Sequence, residues 1–132
     1  MTNPIPRILL AISGALLLFG GLVHALAFKK VVTAVSASNL PEFYGKALKG
    51  LWLIDAATLI TLAIVFGLIA ARPVMASRTV VGLLALIPAG TAGLLYYFIG
   101  PFIPAHLLVT ATVLALAGGV LLPNAPSDMS HA

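Results

Sequence analysis

The sequence predicts an all-α integral membrane protein, four transmembrane helices in an antiparallel bundle joined by short loops. Apolar residues make up 61% of the 132 positions, well above the about 45–50% of a soluble domain. Charged residues are only 8%, against about 25% in a soluble domain, too few to cover the large relative surface of so short a chain in water. The apolar residues also fall into four runs, each close to the about 20 residues that cross about 30 Å of hydrocarbon as a helix. The runs are continuous and not alternating, which argues against a β-barrel. The length suits one domain.

The first run extends from Ile8 to about Phe28, with Pro4, Pro6 and Arg7 before it and His24 as its one strongly polar residue. Ala25-Leu26-Ala27 has the small-x-small form of a leader-cleavage site. The run is long, however, and Lys29-Lys30 follows at once, so the segment is read as a retained helix. Residues 29–50 are the longest connection, with a short interfacial helix expected near Val31–Ser36 and a break at Ser38–Pro41. Phe43 and Tyr44 suit a headgroup layer.

The second helix is expected over 42–71. Pro41-Glu42 opens it, and Arg72-Pro73 closes it because a residue before proline avoids the helical region. The third is expected over 79–99 and contains Pro88, which a membrane helix tolerates. Residues 100–104 form a tight connection, and the fourth helix is expected over 105–122, ending at Pro123. The polar tail 123–132 is expected to be disordered.

The net charge is +4, from seven Lys and Arg against three Asp and Glu. The basic residues stand at the ends of apolar runs, where they anchor helices near lipid headgroups. No basic face is left for nucleic acid. With no cysteine, thiol chemistry and thiolate metal sites are excluded. Arg7, Arg72 and Arg78 share the side of the termini, and Lys29, Lys30, Lys46 and Lys49 share the other, so the charge count gives no orientation.

Small residues recur four apart as Ala63, Gly67 and Ala71, as Ala85, Ala89 and Gly93, and as Ala111, Ala115 and Gly119. Such ridges allow close helix approach in lipid. Extending them places Asp55 on the ridge of the second helix with Ala63 and Gly67, and Tyr97 on that of the third with Ala85, Ala89 and Gly93, while His24, Gly20, Leu17 and Ser13 lie along one face of the first helix. All three polar residues are therefore expected to face the bundle interior.

Depth, more than spacing, marks the candidate site. His24, Asp55, Tyr96, Tyr97 and His106 all fall at the same end of an up-and-down bundle, with Glu42, Tyr44 and Trp52. Ionisable groups inside a membrane helix are expensive and usually face protein, water or a partner. Asp55, His24 and His106 are the candidate catalytic groups, able to exchange protons or orient a hydroxyl. Tyr97, Tyr96, Trp52, Tyr44 and Glu42 are the candidate substrate contacts, the tyrosines as donors to a carbonyl. The competing structural readings are Asp55 paired with Lys29, Lys30 or Lys49, the aromatic residues as belt anchors, and Glu42 as a helix-start charge.

Two histidines and a carboxylate would suit a divalent ion, and two histidines a haem. No metal-binding spacing such as HxxH, HExxH or a di-acid pair is present, so no metal or cofactor is expected. The glycine-rich first helix is similar to that of the DoxX-like bacterial inner-membrane proteins, without a defining motif. The size resembles that of the membrane glutathione and eicosanoid enzymes, but no helix interior here carries an arginine. Asp55 resembles the bundle-pocket carboxylates of sterol-isomerase-like and sigma-2-like proteins. A bacterial inner (cytoplasmic) membrane is the expected location.

The expected function is an intramembrane polar pocket near one headgroup layer that binds or transforms a lipid-like or apolar small molecule. One alternative is an accessory or assembly subunit of a larger membrane complex. Another is a homo-oligomeric transporter of small molecules or ions, although no inverted repeat is evident. The expected partners are the bilayer, a hydrophobic small molecule, and either further copies of the chain or another membrane protein.

Overall fold

The computed structural model describes residues 4–75 and 77–122. Every regular element among them is helical: α1 (Ile5–Leu26), α2 (Phe28–Ser36), α3 (Glu42–Ala71), a 3-10 turn (Pro73–Met75), α4 (Arg78–Phe98) and α5 (Ile103–Val120). Four stretches are long and apolar enough to cross a membrane: Ile5–Ser36, which includes the break between α1 and α2, then α3, α4 and α5. The tail over 123–132 lies outside the described residues.

Helix ends follow local chemistry. α1 starts at Ile5 and α5 at Ile103, each a little before the expected boundary, because Pro6 and Pro104 sit inside the first turn. A proline there has no N–H to leave unpaired and carries a preset φ. Ser77 caps α4, its Oγ accepting from the Val80 N–H at 3.3 Å, which brings the start to Arg78. α3 opens after an extended Pro41 and closes at Arg72, whose φ of −133° and ψ of 79° leave the helical region before Pro73. Gly100, at φ 91°, ends α4 by turning its N–H onto the Leu95 and Tyr96 carbonyls.

Much of the expected long connection is helical. α2 presents Phe28, Val31, Val32 and Val35 on one half-buried face, with Lys29, Lys30 and Thr33 outside. Val35 reaches α3 at Gly45, where a Cβ would lie 3.0 Å from its Cγ1. Neither glycine nor proline stands at the α1–α2 break, and Ala27 keeps helical dihedrals. The break coincides with the docking of this apolar face on α3.

α1 lies against both α3 and α5, and α5 against both α1 and α4, while α3 approaches α4 far less closely. Contacts climb one helix of each close pair as they descend the other. Arg7 meets Ala70, Gly14 meets Ala63, Gly21 meets Ala56, and His24 meets Asp55 between α1 and α3. Between α1 and α5, Leu10 meets Gly118, Ser13 meets Ala111, and Gly20 meets Leu107. Between α4 and α5, Arg78 meets Leu122, Val81 meets Gly119, and Tyr96 meets His106.

The expected ridges are corrected in part. Ala111, Ala115 and Gly119 are all buried, because α5 is covered on two sides. Ala63 and Ala85 are buried, but Gly67 and Gly93 have nothing within 4 Å of a would-be Cβ. Four residues turn a helix through about 400°, so a ridge stepping by four drifts about 40° each step. The buried stripes step by four and three instead, as in Val81, Ala85, Pro88 and Ala92. The close backbone approaches occur at Gly14, Gly21 and Gly118, and the first of these is made onto Ala63 and Gly67 of the expected α3 ridge.

The α1–α3 hairpin, with α2 in its connection, and the α4–α5 hairpin share one burial register. Leu10, Gly14, Leu17 and Gly21 are buried on α1, and each is as far along the chain from Val81, Ala85, Pro88 and Ala92 as Arg7 is from Arg78. Every buried α5 residue from Ala105 to Gly119 likewise stands at one fixed separation from a buried α3 residue between Ala56 and Ala70. Both arginines do the same work. Arg7 Nε donates to the Ala70 carbonyl at 2.8 Å, at the end of α3, and Arg78 Nε donates to the Leu122 carbonyl at 2.7 Å, past the end of α5. Each closes its hairpin by placing a cation on carbonyls that the helix leaves unpaired.

Among the described residues one buried hydroxyl links the two hairpins deep inside. Ser13, fully buried, donates to the Ala111 carbonyl at 2.7 Å. Ser13→Ala removes the donor and leaves a carbonyl that still accepts within α5. A single interior hydrogen bond contributes modestly on balance, so the expected loss is about 1 kcal/mol. Reversible unfolding of the purified protein in mixed micelles checks this, and an unchanged midpoint would remove the bond from the account of stability.

Candidate functional site

His24 ends the apolar stretch that follows Ser13 in α1, two residues before the helix breaks, and Trp52 and Asp55 occupy adjacent turns of α3. Because contacts rise on α1 as they fall on α3, these three meet. The His24 ring stacks on the Trp52 indole with centroids 3.8 Å apart and planes 11° from parallel. The indole Nε1–H donates to the His24 backbone carbonyl at 2.8 Å, so Trp52 holds both the ring and the main chain of His24. That carbonyl lies in the last turn of α1, where intrahelical donors run out.

His24 Nε2 faces Asp55 Oδ2 at 3.4 Å. The nitrogen is sealed from solvent but forms no well-aligned hydrogen bond, so the contact is a loose electrostatic pair. The side chains remain 26% and 35% exposed. Part of each side chain therefore reaches the bundle surface, while the nitrogen that faces Asp55 does not, and the indole backs the imidazole ring. No lysine lies within ion-pairing distance of Asp55; among the described residues its salt-bridge partner is His24.

His106 belongs to a different pair. It lies in the first turn of α5, exposed, with Nδ1 2.8 Å from the Phe102 carbonyl. The half-buried Tyr96 meets its ring edge-on at 5.6 Å. Through the Gly20–Leu107 contact this pair falls toward the same end of the helices as His24 and Asp55. Among the described residues no three His, Asp or Glu side chains gather in one place.

The other named residues stand apart. Tyr97 is 81% exposed and touches Phe98 edge-on, so the expectation that it faces the interior is corrected. The α4 stripe steps from Ala92 toward Leu95 and Tyr96, one position short of Tyr97. Tyr44 is exposed beside Phe43. Glu42 pairs with Lys46 one turn on at 2.6 Å, in the open first turn of α3. The double engagement of Trp52 with His24 was not legible in sequence, because depth along a helix does not fix a rotamer.

The arrangement joins an acid and a base on the two sides of one interhelical seam. A carboxylate accepts hydrogen bonds from hydroxyl or amine donors, and a neutral imidazole both donates and accepts. Together they can hold a proton between them or pass it to a third group within hydrogen-bond reach. The flat face of the indole offers apolar contact beside them. No protein-family model, curated protein or solved structure matches this chain.

Proposed function

We propose that this chain is an integral membrane protein whose four helices cross the bilayer as an antiparallel bundle. His24, Asp55 and Trp52 then form a site near one headgroup layer for the polar group of a lipid-like or otherwise apolar small molecule. The observation that carries this reading is the His24–Asp55 contact itself. A carboxylate and an imidazole within membrane-length helices meet with no lysine to neutralise the carboxylate, and both side chains stay partly exposed although the imidazole Nε2 is sealed. They remain partly accessible beside an aromatic face, at the depth where an amphiphile carries its polar group. Asp55 and His24 serve as hydrogen-bonding groups for that ligand and, where it has an exchangeable proton, as acid and base.

Native mass spectrometry of the protein released gently from its own membrane tests this. The wild type is expected to carry a small amphiphile, and Asp55→Asn is expected to lose it while keeping its helix content. Retention of the same ligand by Asp55→Asn would remove the carboxylate from the site.

A second reading is favoured by α4. Its buried residues form one stripe, and Leu83, Leu86 and Leu94 are each 61% exposed on its other sides. Gly82, Gly90 and Gly93 on α4 have open space where a Cβ would stand. A helix of a second copy or of another membrane protein would pack closely there. The chain is then an accessory subunit, and the same experiment would release a protein partner and no small ligand.

A further inference from the structure

We infer that the lysine-rich end of the molecule, built from α2 and the first turns of α3, is a docking surface for anionic phospholipid headgroups. The inference rests on the membrane reading above but not on the His24–Asp55 site. Four cations gather at this end: Lys29 and Lys30 in the first turn of α2, and Lys46 and Lys49 in the first turns of α3. Glu42 neutralises only Lys46. Among the described residues no carboxylate lies within ion-pairing distance of Lys29, Lys30 or Lys49.

The shape of the surface matches its charge. α2 turns its valines toward α3 and its two lysines outward, the pattern of a helix lying in an interface. Leu26, Phe43 and Tyr44 flank the lysines and are 82%, 75% and 60% exposed, which suits side chains that enter the acyl boundary beneath a headgroup. α3 has 30 residues, or about 45 Å of helix against about 30 Å of hydrocarbon. Its surplus length lifts Lys46 and Lys49 into the phosphate layer.

The opposite end offers no equivalent. Arg7 and Arg78 are bound to the Ala70 and Leu122 carbonyls, and their charge is offset by the helix ends they cap. All three arginines at that end are exposed, and among the described residues Arg72 is the one whose side chain is bonded to no carbonyl. The balance of Lys and Arg, level in the sequence, is therefore uneven in free charge. In a membrane whose cytoplasmic leaflet holds the anionic lipid, the lysine end lies on that side.

The test reconstitutes the full chain into vesicles of phosphatidylcholine with an equal part of phosphatidylglycerol, then counts retained lipids by native mass spectrometry after mild detergent release. The wild type is expected to retain phosphatidylglycerol over phosphatidylcholine. Replacing Lys29, Lys30 and Lys49 together with glutamine is expected to reduce that preference on the order of 100-fold at low salt, about fivefold per lysine. Lys29→Gln with Lys30→Gln alone should give an intermediate loss, and added salt should mimic both. Arg72→Gln should leave the preference unchanged. Equal retention of the two lipids by the wild type, or an equal effect of Arg72→Gln, would overturn the inference while the chain still resists an alkaline wash of the vesicles. Extraction of the wild type by that wash would overturn the membrane reading as well.

Discussion

Gly21→Val is expected to force α1 away from α3 and to destabilise the protein by about 3 kcal/mol, the upper part of the range for overfilled interiors. Even the first added carbon would lie 2.9 Å from Ile60 Cγ1 and 3.2 Å from both the Ala56 carbonyl oxygen and the Ile60 nitrogen. The isoleucine side chain can swing aside. The two backbone atoms belong to α3 and can yield only if the helix moves. Valine adds two further methyls to that space, at the seam that also positions His24 against Trp52 and Asp55. Gly90→Val is the matched control, since nothing lies within 4 Å of its would-be Cβ, and a change within about 0.5 kcal/mol is expected. Unfolding in mixed micelles compares the two. Equal effects would mean that α1 and α3 do not approach at Gly21.

His24→Ala is expected to cost about 2 kcal/mol, through two separate losses. Removing the ring ends the stack on Trp52, where aromatic pairs contribute about 0.5–1.5 kcal/mol beyond area burial. It also leaves Asp55 without a basic neighbour at the seam. That second loss is softened by solvent, because the carboxylate side chain is 35% exposed, and it amounts to about 1 kcal/mol or less. Asp55→Asn should therefore cost less in the His24→Ala background than in the wild type. A double-mutant cycle with a coupling of about 1 kcal/mol is the expected result. Strict additivity would show that the 3.4 Å contact carries no interaction. Trp52→Phe separates the remaining part, keeping a ring to stack on while deleting the N–H bonded to the His24 carbonyl.

The helices themselves were legible because their causes are local or compositional. Pro41-Glu42 and Arg72-Pro73 bound α3 through dihedral preference alone. At Ile5 and Ile103, where two helices begin early, the prolines entered the first turn instead of preceding it. The site was half legible. Depth along the helices placed His24 and Asp55 at one end, but depth cannot say which of two consecutive tyrosines turns inward. That depended on a stripe stepping by four and three, set by α5. The arginines illustrate the same limit. In sequence Arg7 and Arg78 are headgroup anchors; in the structure each reaches a carbonyl more than forty positions away.

Four apolar helices of membrane length follow from the amino-acid sequence alone, because length, apolar composition and backbone hydrogen bonding are properties of each segment taken separately. Only the tertiary structure decided which groups meet. It paired Asp55 with His24 and not with a lysine, set Trp52 beneath the imidazole, tied Ser13 to Ala111, and left three lysines without a carboxylate. Those outcomes depend on how closely the backbones approach at Gly14, Gly21 and Gly118. Helix approach distance is a property of two surfaces together, and it is not encoded in either segment alone.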